Sequence, residues 1–300
     1  MLQRVDKIET PECSSTGPSD SATVPPLIES LNALLKTAEA GVAPSSFSMR
    51  NLPEADYHAC RDYVSASGLK ALVRSTAHFK AWQEQMPKEI TAAQRLGKAL
   101  HAVVLEPEKF ATSYCTYSGS RRGKSWQTFQ AQCEAMEILT AQEFDQVMGM
   151  HQAIQGFDTV DLSEMIQASR CEQSVFWTDL KTGIRCRIRC DAHHENAIID
   201  LKTTTDARPA GFAKQARQNN YDLQAAHYVN GVDAFSGETK PFWFIAVEVN
   251  PPHGVWIHQA SEELLIEGQR RIDEALKSLL AARQSGNWIG YVEPWSMLSI

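Results

Sequence analysis

The sequence predicts an α/β fold, a twisted central sheet flanked by helices. Three observations carry that expectation. Residues 184–191 alternate, with Ile184, Cys186, Ile188 and Cys190 on one side and Arg185, Arg187, Arg189 and Asp191 on the other, the period of a strand with one buried face. Residues 241–250, PFWFIAVEVN, are almost continuously apolar, as expected of a central strand covered on both faces. Residues 91–105 and 261–284 repeat apolar side chains at helical spacing.

Bulk properties narrow the class. The chain has 300 residues, enough for one large domain or two small ones. Its hydrophobic fraction of 43% and mean hydropathy of −0.32 are those of an ordinary globular chain. No apolar run approaches the roughly 20 residues that span a bilayer. Met1–Pro26 carries charges and prolines where a signal peptide needs an apolar centre. A cytoplasmic protein without a membrane partner is expected. The seven cysteines, at 13, 60, 115, 133, 171, 186 and 190, include no C-x-x-C and suit reduced thiols. A net charge of −7 argues against a general nucleic-acid coat protein. Residues 181–220 nevertheless hold eight Lys/Arg against four Asp/Glu, so a local basic region remains available for a polyanion.

Taken in order, residues 1–50 are rich in Pro, Ser, Thr and Gly and read as a flexible tail or linker with one short helix over 27–40. Residues 51–300 form the folded domain. Ser65 or Ser67 caps a helix that continues through 71–86. The next helix spans Thr91–Leu105, with Leu96, Leu100, Val103 and Val104 on its apolar face; Pro107 stops it, and Gly97 leaves room for a neighbouring backbone. Residues 117–126, YSGSRRGKSW, make a polar loop that on composition alone is solvated. Helices follow over 128–138 and 141–154, the second capped by Thr140 with Glu143 at its third position.

A strand over 172–179, a turn at 180–183 and strands over 184–191 and 197–202 make a three-stranded meander. Residues 206–234 are helical, with Pro209 in the first turn. Tyr221, Gln224 and Tyr228 share one face there, by residue type a packing stripe with a polar edge. Strand 255–259 pairs back on 241–250, and helix 261–284 starts at a Ser261 cap.

The stretch 183–205, GIRCRIRCDAHHENAIIDLKTTT, bears the chemistry. On its second strand Asp200 and Lys202 share a face while Leu201 enters the core. Paired as a hairpin, the two strands bring Asp191 close to both. Two carboxylates suit a hard divalent cation, which activates water and stabilises charge at phosphorus. A lysine beside them orients or deprotonates that water. The plainer alternative is an edge hairpin with a salt bridge. Arg187 and Arg189, on the face of Asp191, either hold that aspartate or bind phosphate.

D-x(8)-D-L-K at the end of a hairpin resembles the PD-(D/E)XK nuclease superfamily. The wider pattern is similar to one branch, the nuclease domain of RecE (exonuclease VIII) and its phage and prophage relatives, over about Tyr57–Trp288. The likeness rests on G-x-x-x-H-x-x-x-L-E-P (Gly97–Pro107), the basic residues of Arg121–Lys124, E-x-S-x-x-W (Glu172–Trp177), C-R-x-R-x-D (Cys186–Asp191), D-L-K-T-T (Asp200–Thr204) and Y-x-x-Q-x-x-x-Y (Tyr221–Tyr228).

The resemblance implies a restriction-endonuclease-like core with a mixed central sheet. It implies Mg²⁺, with Mn²⁺ able to substitute, held by His101, Asp191, Asp200 and the backbone carbonyl of Leu201, and Lys202 acting on the water. His101 on residue type alone is a structural helix residue. Glu172 falls near the metal by resemblance, or is a strand-edge partner of an arginine. Gln224 supports the site. Arg121, Arg122, Lys124, Arg187, Arg189, Tyr221 and Tyr228 are the DNA-contacting candidates. Trp126 reads as core.

The implied reaction is ATP-independent 5′→3′ digestion of linear double-stranded DNA, leaving 3′ single strands for recombination. The absence of a nucleotide-binding glycine loop agrees with the first point. No iron–sulfur cluster is expected, because no cysteine follows Cys190. Implied partners are duplex ends, further copies of the chain in a homo-oligomeric ring, and a single-strand annealing protein. The alternatives are an endonuclease or single-strand nuclease on the same core, and a non-catalytic DNA-binding scaffold.

Overall fold

The computed structural model describes residues 46–85 and 90–292; the helix expected over 27–40 and the end of the C-terminal tail lie outside them. The chain runs through β1 (Ser46–Met49), α1 (Glu54–Ala59), α2 (Ala66–Leu72), α3 (Thr76–Glu84), α4 (Ala92–Leu105) and α5 (Pro107–Ser113). It continues with β2 (Tyr114–Tyr117), α6 (Gly123–Gln132), β3 (Glu137–Thr140), α7 (Ala141–Gln155), α8 (Leu162–Gln167), β4 (Arg170–Thr178) and β5 (Arg185–His193). The last elements are β6 (Ile198–Thr204), α9 (Pro209–Gln218), α10 (Tyr221–Ser236), β7 (Phe242–Glu248), β8 (Val255–Gln259) and α11 (Glu262–Ser285).

The main sheet has the order β1-β4-β5-β6-β7-β8. Only β6 and β7 run parallel; the other neighbours are antiparallel. The crossover between the parallel pair contains α9 and α10, as parallel pairing requires. Alternation then builds two cores. Cys186, Ile188, Cys190, Ile198, Phe242 and Phe244 pack on one side with α2, α10 and α11. Ile199, Leu201, Ile245 and Val247 pack on the other with α4, α7 and α8. This is the mixed α/β sheet with flanking helices that the sequence predicts.

Several local expectations hold. Thr140 and Glu143 close a reciprocal capping box on α7, and Ser261 caps α11 by accepting from Leu264 N. Thr91 and Gln94 make a second capping box on α4, a cap worth about 1 kcal/mol against alanine. Of the two serine candidates, Ser65 caps α2.

Other expectations are corrected. Ser46–Met49, read as tail, form the edge strand β1 on β4. The helix expected to run from 71 is interrupted at Ser75, whose hydroxyl takes His78 N and starts α3. The helix read over 128–138 begins earlier and ends at Gln132, while Glu137–Thr140 pair in parallel with β2. The helical region 206–234 is two helices, separated where Asn220 adopts φ 52°. Pro107 both follows the end of α4 and opens α5, where its missing N–H costs nothing. A Cβ on Gly97 would meet only Thr203 Oγ1, at 3.7 Å, so no backbone crowds it. The start of the C-terminal tail docks on α3: Ala77 N and Thr76 Oγ1 both donate to Ile289 O.

One departure creates the site. The expected hairpin of β5 and β6 is laddered only at Ala192↔Ile199 and His193↔Ile198. Beyond them the strands part like a fork. The edge of β5 freed by the parting is occupied by Val64, which accepts from Arg187 N and donates to Arg185 O.

Candidate active site

At the fork, the amide of Leu201 is satisfied by a side chain instead of a strand. Leu201 N donates to Asp191 Oδ2 at 2.8 Å. The carboxylate thus stands in for the missing ladder carbonyl, which fixes it at the fork. His101 reaches the same place from α4. Its Nε2 donates to Leu201 O at 2.9 Å, and its Nδ1 lies 3.6 Å from Asp191 Oδ2.

Glu172 comes from β4. The register on either side, Cys171↔Ala192 and Gln173↔Cys190, puts Glu172 opposite Asp191. Its φ is 50°, a left-handed backbone that costs a non-glycine residue about 1–2 kcal/mol. Ligand atoms of His101, Glu172 and Asp191 lie within 4.8 Å of one another. Burial pushes the Glu172 carboxyl up to about 7, and the charge of Asp191 adds to the effect; His101 and Arg189 oppose it.

Asp200 and Lys202 lie behind this group. Asp200 is 1% exposed. Its Oδ1 accepts from Gln224 Nε2 of α10 at 2.6 Å, and its Oδ2 pairs with Lys202 Nζ. Burial drives the Asp200 carboxyl upward, and Lys202 pulls it back. Burial alone would lower Lys202, but the carboxylates of Asp200 and Asp191 outweigh it and hold the ammonium above its usual value. Lys202 is therefore a cation near neutral pH, suited to orienting water or phosphate.

A cavity of about 860 Å³ opens onto this group, its walls including His101, Glu172, Arg189, Asp191, Lys202 and Tyr221. Tyr228 lines it as well. Arg189 is clamped by Ser174 Oγ at 3.0 Å, Leu52 O at 2.7 Å and the Tyr57 ring. Its Nη1 lies 3.9 Å from Glu172 Oε2, so both readings of Glu172, arginine partner and metal-site residue, describe the same side chain.

The donor set fits a divalent cation. A neutral imidazole that donates from Nε2 turns the lone pair of Nδ1 toward the Asp191 carboxylate, an arrangement that calls for a proton or a cation between them. A second carboxylate, Glu172, faces the same point. The two carboxylates suit Mg²⁺ or Mn²⁺, and the imidazole nitrogen is a donor that transition ions accept more readily than Mg²⁺. The set brought together is His101, Glu172 and Asp191. Asp200, read as a ligand, accepts from Gln224 on Oδ1, while its Oδ2 lies against Lys202 Nζ with no hydrogen-bond partner among the described residues; the Leu201 carbonyl accepts from His101.

The remaining candidates divide. Arg187 is 1% exposed and buried against the carbonyl and ring of Tyr57; it holds α1 to the sheet and offers nothing to DNA. The loop arginines and lysine do not line the cavity. Arg121 donates to Ile138 O at 2.7 Å, lies over the Trp126 ring and sits 3.9 Å from Glu143. Arg122 and Lys124 are exposed. His227 lies with Nε2 3.2 Å from both Val64 O and Arg187 O, and so helps hold the strand edge at the fork. Lys70 and Tyr57 were not singled out as site residues; nothing in their spacing marks them, because they reach the site through α2 and α1.

A mixed sheet forked at an aspartate, with D-x-K on the adjoining strand, defines a PD-(D/E)XK-type domain. The chain belongs to the family described as a PDDEXK-like domain of unknown function (DUF3799), which matches residues 65–296. No curated protein matches the sequence. Among solved structures, it is similar to the crystal structure of a "putative exonuclease" from Eubacterium rectale, with TM-score 0.56 and 16% identity over 79% of this chain and 88% of that one. That likeness is one of fold. Among the described residues, no helix is long and apolar enough to cross a membrane.

Proposed function

We propose that the protein is a Mg²⁺-dependent, ATP-independent exodeoxyribonuclease that digests linear duplex DNA 5′→3′ and leaves 3′ single strands. The observation that carries the nuclease reading is the convergence of His101, Glu172 and Asp191 beside the buried Asp200–Lys202 pair, at the wall of one cavity. The choice of exonuclease and its polarity is supported by the resemblance of the motifs to the RecE nuclease domain. The description of the Eubacterium rectale protein agrees with the exonuclease part and says nothing of polarity.

His101, Glu172 and Asp191 would hold the ion. When bound, a divalent cation supplies positive charge against a phosphate oxygen and makes water more acidic. The chain's own residues do the rest. Leu201 N fixes Asp191, and Gln224 fixes Asp200. Asp200 holds Lys202 in its charged form, where it orients the attacking water or offsets the charge growing on the phosphate. Arg189 adds a second positive charge at the cavity wall. Duplex ends, a ring of further copies and a single-strand annealing protein are the partners this reading takes from the same resemblance.

The test uses linear duplex labelled at either end, with Mg²⁺ and without ATP, alongside covalently closed circles and Asp200→Ala. Early release of the 5′ label with circles intact and the variant inactive is expected. Cut circles would replace the reading with an endonuclease. Binding without cutting in any divalent metal would replace it with a scaffold.

A further inference from the structure

A second lysine lies at this site. Lys70, on α2, places its Nζ over the Tyr221 ring at 5.5 Å from the centroid; Lys202 Nζ lies over the same ring at 5.4 Å. Tyr221 is held to receive them. Its hydroxyl accepts from Gln215 Nε2 at 3.1 Å, and Phe244 stacks behind it with centroids 5.3 Å apart. The two cations differ in one respect. Lys202 is neutralised by Asp200. Among the described residues Lys70 has no hydrogen bond and no ion pair, only the ring.

The position of Lys70 is also specific. Ser65, Ala66 and Ser67 line the cavity, and Lys70 is one turn beyond Ser67 on the same helix face; it is not itself a lining residue and meets the cavity through the Tyr221 ring, which lines the wall and which it shares with Lys202. A half-buried ammonium with no carboxylate in contact, beside a second ammonium and with Asp200 and Asp222 acting on it only at longer range, is an unfavourable arrangement in the isolated protein. Burial and the Lys202 charge accordingly bring Lys70 down to about 8, against the opposing pull of Asp200 and Asp222. An anion placed beside both cations removes the penalty.

We propose that Lys70 and Lys202, gathered on the Tyr221 ring, form a subsite for a backbone phosphate of the bound nucleic acid, with Lys70 as the residue dedicated to binding. The proposal rests on the nuclease reading and names the part of the substrate that this wall of the cavity contacts. Lys70 then acts on affinity and strand placement, and Lys202 on the chemistry.

The experiment measures DNA binding against salt without divalent metal, and cutting with Mg²⁺, for wild type, Lys70→Ala and Lys70→Arg. Thermal melting serves as a control for folding. For Lys70→Ala the slope of log K against log salt is expected to fall by about one, as for one lost phosphate contact. KM should rise several-fold, well beyond any change in kcat, and Lys70→Arg should restore most of both. An unchanged slope in a folded Lys70→Ala overturns the subsite while leaving the nuclease reading in place. So does a loss confined to kcat with a displaced pH profile, which would make Lys70 a proton acceptor. Wild type that neither binds nor cuts DNA overturns both.

Discussion

Gln224 Nε2 donates to Asp200 Oδ1 across 2.6 Å, and both side chains are buried. With Lys202 paired against the other oxygen, this bond is the hydrogen bond that holds a carboxylate with almost no access to water. Replacing Gln224 with leucine leaves one oxygen desolvated and unpaired, a loss of about 1–3 kcal/mol. Activity should fall roughly tenfold to a hundredfold, as for other groups that orient a metal-site residue. Denaturant unfolding and single-turnover cutting check the two halves.

The Asp200–Lys202 pair separates stability from chemistry. Lys202→Met strands a buried carboxylate and should destabilise the protein by about 3–5 kcal/mol while abolishing cutting. Adding Asp200→Asn removes the stranded charge, and the new amide can still meet Gln224. The double variant should regain most of the stability and none of the activity. Recovery of cutting in the double variant would remove Lys202 from the mechanism.

Glu172 makes stability depend on pH in a defined sense. Its carboxyl is raised from 4.5 to about 7, so between those values the folded protein binds more protons than the unfolded chain. Its contribution to stability is therefore greatest at low pH and is lost as pH rises toward 7. In metal-free buffer, wild type should lose stability relative to Glu172→Gln between pH 5 and pH 8. Comparing the two proteins cancels the buried histidines, His193 and His227, which are both lowered to about 4. Parallel melting curves across that range would contradict the assignment.

Asp191→Asn keeps an oxygen for Leu201 N and so keeps the fork, but it weakens the cation set. Mn²⁺ affinity, read by calorimetry, should drop at least tenfold, and cutting should disappear. Duplex binding without metal should stay within a few fold. Unchanged Mn²⁺ binding would mean that the ion is held elsewhere.

Much of this was legible in the sequence because it is local. Alternation exposed β5, D-L-K marked β6, and capping chemistry at Thr140 and Ser261 marked helix starts to the residue. The three-stranded meander followed from turn residues. What was not legible depends on how strands separate after they form. A hairpin read from alternation is paired along its length; the parting after Ala192 is a tertiary event, made possible by Val64 arriving from a distant segment. That parting gives Asp191 to Leu201 N, and Asp200 turns instead to Gln224 and Lys202. The same limit explains Arg187. Its alternation with Asp191 was correct, but the cover that α1 and Tyr57 place over it has no signature in the strand.

The left-handed backbone at Glu172 has one further consequence. A chain selected for stability alone would put glycine there, relieving the backbone and removing a carboxylate that burial and Asp191 both oppose. Glu172→Gly should therefore melt higher than wild type in metal-free buffer and lose affinity for the ion. A position where the fold and the reaction prefer different residues marks a trade-off between durability and activity, and Glu172 places that trade-off at a single torsion angle.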